Sequence, residues 1–248
     1  TKIVENPEPI HILPTRISFT LLGEIYFYGD GTRVDYKKAF DLYSKALEIN
    51  STLYTTHLNL RLGYLYKNGN GTEINKRKAY SHFLTAANEG DAEGQSQVAW
   101  AYYMGEGVNE DINLARSWYE KAAAQGHDFA NYILGMFYGD GVLGYTDLPK
   151  AVQYLSKAAE SNYDGALYQL GLIYENGGQG VQRNFRLAGE YFKRAADLGH
   201  EEAKEKYTAI FLDNIEKEKI VGVSLYGVQR DDIDIKINGK DAKTFASQ

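Results

Sequence analysis

Apolar and small positions in this chain do not follow one continuous helical or strand pattern. They recur as a unit of about 36 residues, the signature of a repeat architecture. Five segments carry the same succession: LLGEIYFYGDG (21–31), RLGYLYKNGNG (61–71), VAWAYYMGEG (98–107), ILGMFYGDG (133–141) and QLGLIYENGGQG (169–180). Aligned on the small residues Gly23, Gly63, Ala99, Gly135 and Gly171, they are spaced by 40, 36, 36 and 36 residues. A tyrosine follows three residues after every anchor, at Tyr26, Tyr66, Tyr102, Tyr138 and Tyr174. Further on come Asp35, Asn75, Asp111, Asp147 and Asn184, then Ala39, Ala79, Ala115, Ala151 and Ala188. Each unit closes on a small pair: Ala46-Leu47, Ala86-Ala87, Ala122-Ala123, Ala158-Ala159 or Ala195-Ala196.

This order predicts two helices per unit. The Asp and Asn positions fit an N-cap of the second helix, where a side-chain oxygen accepts from the first free amides. Pro149 falls in the first turn, where a missing N–H costs nothing. Gly90, Gly126, Asn162 and Gly199 mark the end of that helix, since these residue types tolerate the left-handed C′ conformation. Gly-x-Gly turns such as Gly29-Asp30-Gly31 and Gly105-Glu106-Gly107 join the two helices of a unit. Small anchors and Ala pairs let helices approach, while tyrosines, above all those at anchor plus three, fill the layer between them. One unit cannot bury both its faces, so stacking of neighbours completes the core.

The ends break the period. Residues 1–16 contain Pro7, Pro9 and Pro14 and read as an extended lead-in. Residues 17–212 form the array. The stretch 201–219 reads as one more first helix, with Tyr207 and Phe211 inward and a charged outer face, as a terminal cap requires. Residues 213–248 hold the end of that helix and a C-terminal extension. Val221, Val223 and Leu225, then Ile233, Ile235 and Ile237, alternate with period two and suggest a short hairpin or edge strand.

Composition narrows the chemistry. The 248 residues carry a formal net charge of -6, against the basic excess that nucleic-acid binding needs. Mean hydropathy is -0.45 and no apolar run approaches a membrane span. There is no cysteine, which excludes disulfides, Cys-ligated metals and thiol nucleophiles. His11, His57, His82, His127 and His200 lack the spacing of a zinc site. His127 and His200 share one repeat position, which points to a structural role. The Gly-Asp-Gly turns lack the alternating carboxylates of a calcium loop, and Gly177-Gly178-Gln179-Gly180 lacks the context of a phosphate loop. Asn50-Ser51-Thr52 and Asn70-Gly71-Thr72 fit the glycosylation triplet, at a frequency chance supplies. No catalytic residue, cofactor or metal ligand is expected.

The consensus A-x-x-x-L-G-x-x-Y-x-x-G-x-G-V-x-x-D-x-x-K-A-x-x-x-Y-x-K-A-A-x-x-G resembles the Sel1-like repeat, a relative of the tetratricopeptide repeat. The likeness runs over roughly 17–212, with 92–127 and 129–161 nearest to the pattern. It departs at Leu143, where a turn glycine is expected, at the extra residue in 177–180, and in the longer linker from Ile49 to His57. The resemblance implies an all-α fold: a right-handed α/α superhelical solenoid of about five helix pairs, a C-terminal capping helix and a short β extension. The tail Gly222–Arg230 is similar to tails that follow such arrays in some bacterial proteins. An extracytoplasmic place, periplasmic or secreted, ranks ahead of the cytoplasm or an ER lumen.

The same analogy places the flanks of the first-helix core stripe on a concave groove. Tyr64, Trp100, Tyr103, Tyr132, Met136 and Tyr168 are the candidate partner-binding residues there, with Lys67 and Glu175 at the polar ends. The alternative for the aromatic rings is packing between repeats. Trp118, beside Tyr119 on a second helix, is assigned to the outer face or to packing between units. The implied function is a non-catalytic scaffold or adaptor binding a protein or peptide. Behind it stand a carbohydrate- or cell-wall-associated binder, whose rings stack on sugars, and last a small-substrate hydrolase. That activity was suggested for bacterial relatives carrying paired cysteines, which this chain lacks.

Overall fold

Eleven helices follow one another through the described part of the computed structural model, which covers residues 15–49, 52–221, 236–237 and 240–241. They are α1 (Arg16–Tyr28), α2 (Tyr36–Glu48), α3 (Thr55–Asn68), α4 (Lys76–Asn88), α5 (Ala92–Met104), α6 (Ile112–Ala124), α7 (Asp128–Gly139), α8 (Leu148–Glu160), α9 (Asp164–Asn176), α10 (Phe185–Asp197) and α11 (Glu201–Val221). The fold is an all-α solenoid of five helix pairs with α11 as an added last helix. Two short antiparallel segments, β1 (Lys236–Ile237) and β2 (Lys240–Asp241), are the described β structure of the C-terminal extension. Val221 closes α11 instead of opening a strand, and the tail motif 222–230 lies outside the described residues.

The helix ends obey local chemistry. Asp35, Asn75, Asp147 and Asn184 accept from Lys38, Lys78, Lys150 and Leu187 amides, each at 3.0 Å, and Asp111 accepts from Leu114 at 2.9 Å. Four second helices end on one turn. The amide after Gly90, Gly126, Asn162 or Gly199 reaches back to the first carbonyl of the Ala pair, at 3.1–3.2 Å, while the amide of the left-handed residue bonds the second. Asn162 holds φ at 57°, so the C′ position needs no glycine where an amide side chain stands.

The chain divides into two compact units, one ending at Ala130 and one beginning at Asn131. In each, a bulky side chain of the second helix sits on the small anchor of the first. A methyl built on Gly63 would lie 2.6 Å from Phe83 Cε1, and one built on Gly171 would lie 2.5 Å from Phe192 Cε1. Tyr43, Phe83, Tyr119, Leu155 and Phe192 are this layer, all within 3% of full burial. The anchor-plus-three tyrosines are a different set. Only Tyr138 among them is buried; Tyr26, Tyr66, Tyr102 and Tyr174 are half-buried. They pair with rings on second helices, as in Tyr138–Tyr154 and Tyr174–Tyr191, and lie under lysines such as Lys38, Lys78 and Lys150. The tyrosine stripe is therefore the margin of the core rather than its centre.

The first repeat shows what stacking does. Leu22 is 40% exposed, whereas Leu62, Val98, Leu134 and Leu170 at the same repeat position are 0–2% exposed. No described helix pair precedes α1, so its face with Leu21, Leu22 and Ile25 stays open.

Candidate functional site

In the first unit the candidate residues Tyr64, Trp100 and Tyr103 are half-buried. The Trp100 ring meets Tyr103 edge-on at 6.0 Å and Phe129 at 5.9 Å, and Phe129 also meets Tyr119. Phe129 was not among the residues read from the sequence. Its signal was there, six residues before the Gly135 anchor, at a position that His57 and Glu93 occupy in other repeats. Trp118 packs with the Phe83 and Val98 cluster, with Lys121 Nζ 3.7 Å above its ring.

Beside Trp100 lies a shallow depression lined by α3, α4 and α5. Lys67 Nζ donates to Gln97 Oε1 at 2.8 Å and stands 5.9 Å from the Trp100 ring centre. Lys76 pairs with Glu106 at 3.1 Å on the rim. Burial pushes the Lys67 ammonium below its usual range.

Tyr64 packs edge-on against Phe83, and its hydroxyl donates to Glu93. Glu93 also accepts from Gln97 Nε2 at 2.8 Å and from His127 Nε2 at 2.9 Å. The His127 bond, with those from Tyr64 and Gln97, outweighs burial and holds the Glu93 carboxyl at about 2. The other ring nitrogen of His127, Nδ1, accepts the Ala130 amide at 3.2 Å and so starts α7. His200 repeats the device on the Ala203 amide at 3.3 Å and stacks on Tyr168 at 4.5 Å. Both histidines thus act as helix starters, and their shared repeat position is explained.

A second carboxylate ties α1 to its neighbours. Glu24 accepts from Tyr43 on α2, from His57 on α3, and from both Nε and Nη2 of Arg61 on α3, at 3.0 and 2.9 Å. Burial opposes the charge, but these bonds outweigh it and bring the carboxyl from 4.5 to about 2. A carboxyl that titrates lower when folded adds stability above its unfolded value and loses it as pH falls through the folded one. The expected result is a melting temperature that drops between pH 4.5 and 2. Glu24→Gln should be less stable at neutral pH and should show a shallower drop over that interval. Thermal melts across the range check this, and a drop as steep as wild type would remove Glu24 from the acid response.

In the second unit Tyr132, Met136 and Tyr168 are half-buried. Tyr132 packs on Tyr163 at 5.0 Å, while Tyr168 lies between Phe192 at 5.8 Å and His200. Packing between helices thus accounts for part of each ring, with the rest left open. Among the described residues no group of three His, Asp or Glu side chains is placed to hold a metal, and no helix is long and apolar enough to cross a membrane.

Comparison with known proteins bears on the whole array. The family model for the Sel1 repeat matches residues 20–51, 58–91, 92–127, 128–163 and 165–200. A protective antigen of uropathogenic Escherichia coli with an SLR fold superposes with a TM-score of 0.72 at 30% identity, over 84% of this chain and 44% of that one. A Sel1 repeat protein from Oxalobacter formigenes gives 0.68 at 28% identity, over 88% and 83%. A 52-residue stretch is 42% identical to the DNA replication and repair protein RecF of Staphylococcus epidermidis; it spans 21% of this chain and only 14% of that protein.

Proposed function

The chain belongs to the Sel1 repeat family, and from that premise we propose that it is a non-catalytic adaptor whose partner docks on the face of its first helices. Sel1 repeats are generally protein-interaction scaffolds. The finer reading takes the partner to be a peptide or protein segment with apolar anchors. The observation that carries it is the half-open aromatic cluster of Trp100, Tyr103 and Phe129 on the first helices α5 and α7, next to the Lys67 ammonium. Rings of this kind give large contact area for little lost rotamer freedom. Tyr64 extends the proposed surface onto α3 within the first unit, and Tyr132, Met136 and Tyr168 are the corresponding candidates on the first helices of the second unit.

Peptide display on the immobilised protein, followed by titration of the selected peptide, tests the reading. Trp100→Ala is expected to weaken binding by about 2 kcal/mol, roughly thirtyfold, as central aromatic anchors commonly do. The fold should survive, because Trp100 is outside the layer formed by Phe83 and Tyr119. The assignment is wrong if Trp100→Ala and Tyr132→Ala bind like wild type while Trp118→Ala abolishes binding. A glycan array that returns ligands where the peptide screen returns none would replace the peptide by a sugar.

A further inference from the structure

We propose that the open face of α1 is a second docking surface, and that its occupant is an amphipathic helix of a partner protein. That helix is about four turns long, begins on a basic residue and carries a pair of small residues near its C-terminal end. This goes beyond the adaptor reading and uses a different helix from the one that carries Trp100.

The other repeats show what the face is shaped for. Ser18, Leu22 and Ile25 stand five before, one before and two after the Gly23 anchor, so they line one side of α1. The same positions are Leu58, Leu62 and Leu65 on α3, and Gly94, Val98 and Ala101 on α5, all of them buried. On α1, Ser18 is exposed, and Leu22 and Ile25 are 40% and 39% exposed. The preceding second helix makes the difference. Leu58, Leu62 and Leu65 cluster with Tyr43 and Ala46 of α2, and Val98 with Phe83 and Ala87 of α4. A methyl on Gly94 would lie 2.9 Å from Ala86 Cβ, so the small pair is the point of closest approach. The turn glycines mark where such a helix begins. A Cβ on Gly71 would overlap the carbonyl of Tyr36, the first residue of α2, and one on Gly107 that of Lys76, the first residue of α4. Gly31, at the same turn position, has no described atom within 4 Å. From Gly31 to Ser18, the open face thus has the footprint of one second helix.

Charge sets the first residue of the occupant. Glu106 pairs at 3.1 Å with Lys76 at the start of α4. Asp30 holds the same repeat position as Glu106, is exposed, and would meet both a basic first residue and the positive end of the helix dipole. This chain does not itself supply such a helix. Small pairs lie 13 residues before the Ala99, Gly135 and Gly171 anchors; 13 before Gly23 stand Ile10 and His11, preceded by Pro7 and Pro9. A second copy has no small pair to offer, because Ala86, Ala122, Ala158 and Ala195 are fully buried within their own array.

The probe is a fluorescent peptide with the sequence of residues 75–90, which has the basic start and the Ala86-Ala87 pair. Phe83→Gln removes the ring that serves α3, and a cross-link between positions 77 and 81, both exposed in α4, holds the helix. Anisotropy on the full chain should show saturable binding. Leu22→Gln in the protein should weaken it about tenfold or more, as losing one buried leucine supplies. Ala86→Leu with Ala87→Leu in the peptide should do the same by overpacking. Asp30→Lys should cost about threefold, and Lys76→Glu in the peptide should restore it. Leu22→Gln should barely move the melting temperature, whereas Leu62→Gln, at the covered position, should lower it sharply. The proposal falls if binding does not saturate, if the Leu-pair peptide or the Leu22→Gln protein binds as well, or if the charge exchange gives no rescue. It also falls if Leu22→Gln is as destabilising as Leu62→Gln, which would mean that the chain covers α1 itself. A dimer in sedimentation that Leu22→Gln dissociates would assign the face to a second copy and overturn it as well.

Discussion

Phe192→Ala is expected to cost about 3–5 kcal/mol in a denaturant titration, because truncating a buried phenylalanine loses both its transfer energy and the packing around the void. Phe192 on α10 has no exposed surface. Its ring lies on the bare backbone of Gly171 and against Tyr168, within the cluster formed with Leu155, Leu167 and Leu170. Gly171 has no side chain to fill the void, so relaxation there is limited. Repeats couple mainly to their nearest neighbours, so the loss should concentrate in α9, α10 and α11. Hydrogen exchange checks that directly: amides of these three helices should lose protection first. A cost under about 1 kcal/mol would mean that the site collapses around the smaller residue, since the price of a truncation depends on how well its surroundings close up.

Gly135→Leu tests the same layer from the other side. A Cβ at Gly135 would overlap Leu155 Cγ and stand 2.7 Å from Leu155 Cδ2. Leu155 is itself 1% exposed and has nowhere to withdraw. Overpacking costs about 1–3 kcal/mol, and overlap that begins at the first added carbon places this variant near 3 kcal/mol. The double variant Gly135→Leu with Leu155→Ala should recover part of the loss, since contacting sites are non-additive. Thermal melts of the four proteins complete the cycle. Strict additivity would show that Gly135 and Leu155 do not share one packing site, and an unchanged midpoint for Gly135→Leu alone would show that the anchor is not close-packed.

Both results bear on what a repeat sequence encodes. A denaturant or thermal measurement reads the depth of the layer at Phe192 and Gly135, whereas the alignment reads only that these positions recur. Phe83 and Phe192 fall 20 and 21 residues after their anchors, so their equivalence was visible. Their position at the centre of the layer was not, because depth is set by how two helices lean on one another.

What the sequence determined by itself was the local chemistry. Asp35, Asn75, Asp111, Asp147 and Asn184 cap helices because a side-chain oxygen two or three residues before a free amide reaches it whatever lies beyond. Gly90, Gly126, Asn162 and Gly199 end helices because a left-handed residue is selected within one turn. These contacts span at most a few residues, so the period and the helix pairs were legible at once. Tertiary structure decided what depends on residues far apart in the chain. It put Tyr138 inside the core and left Tyr66 and Tyr102 half out. It gathered Glu24 with Arg61, and Glu93 with His127, across separations of 37 and 34 residues. It brought Phe129 beside Trp100, and it left Lys67 half-buried on a neutral partner. The physical reason is that a repeat period assigns a residue to a face of its helix, while burial and charge pairing follow from the angle and distance at which the next helix arrives.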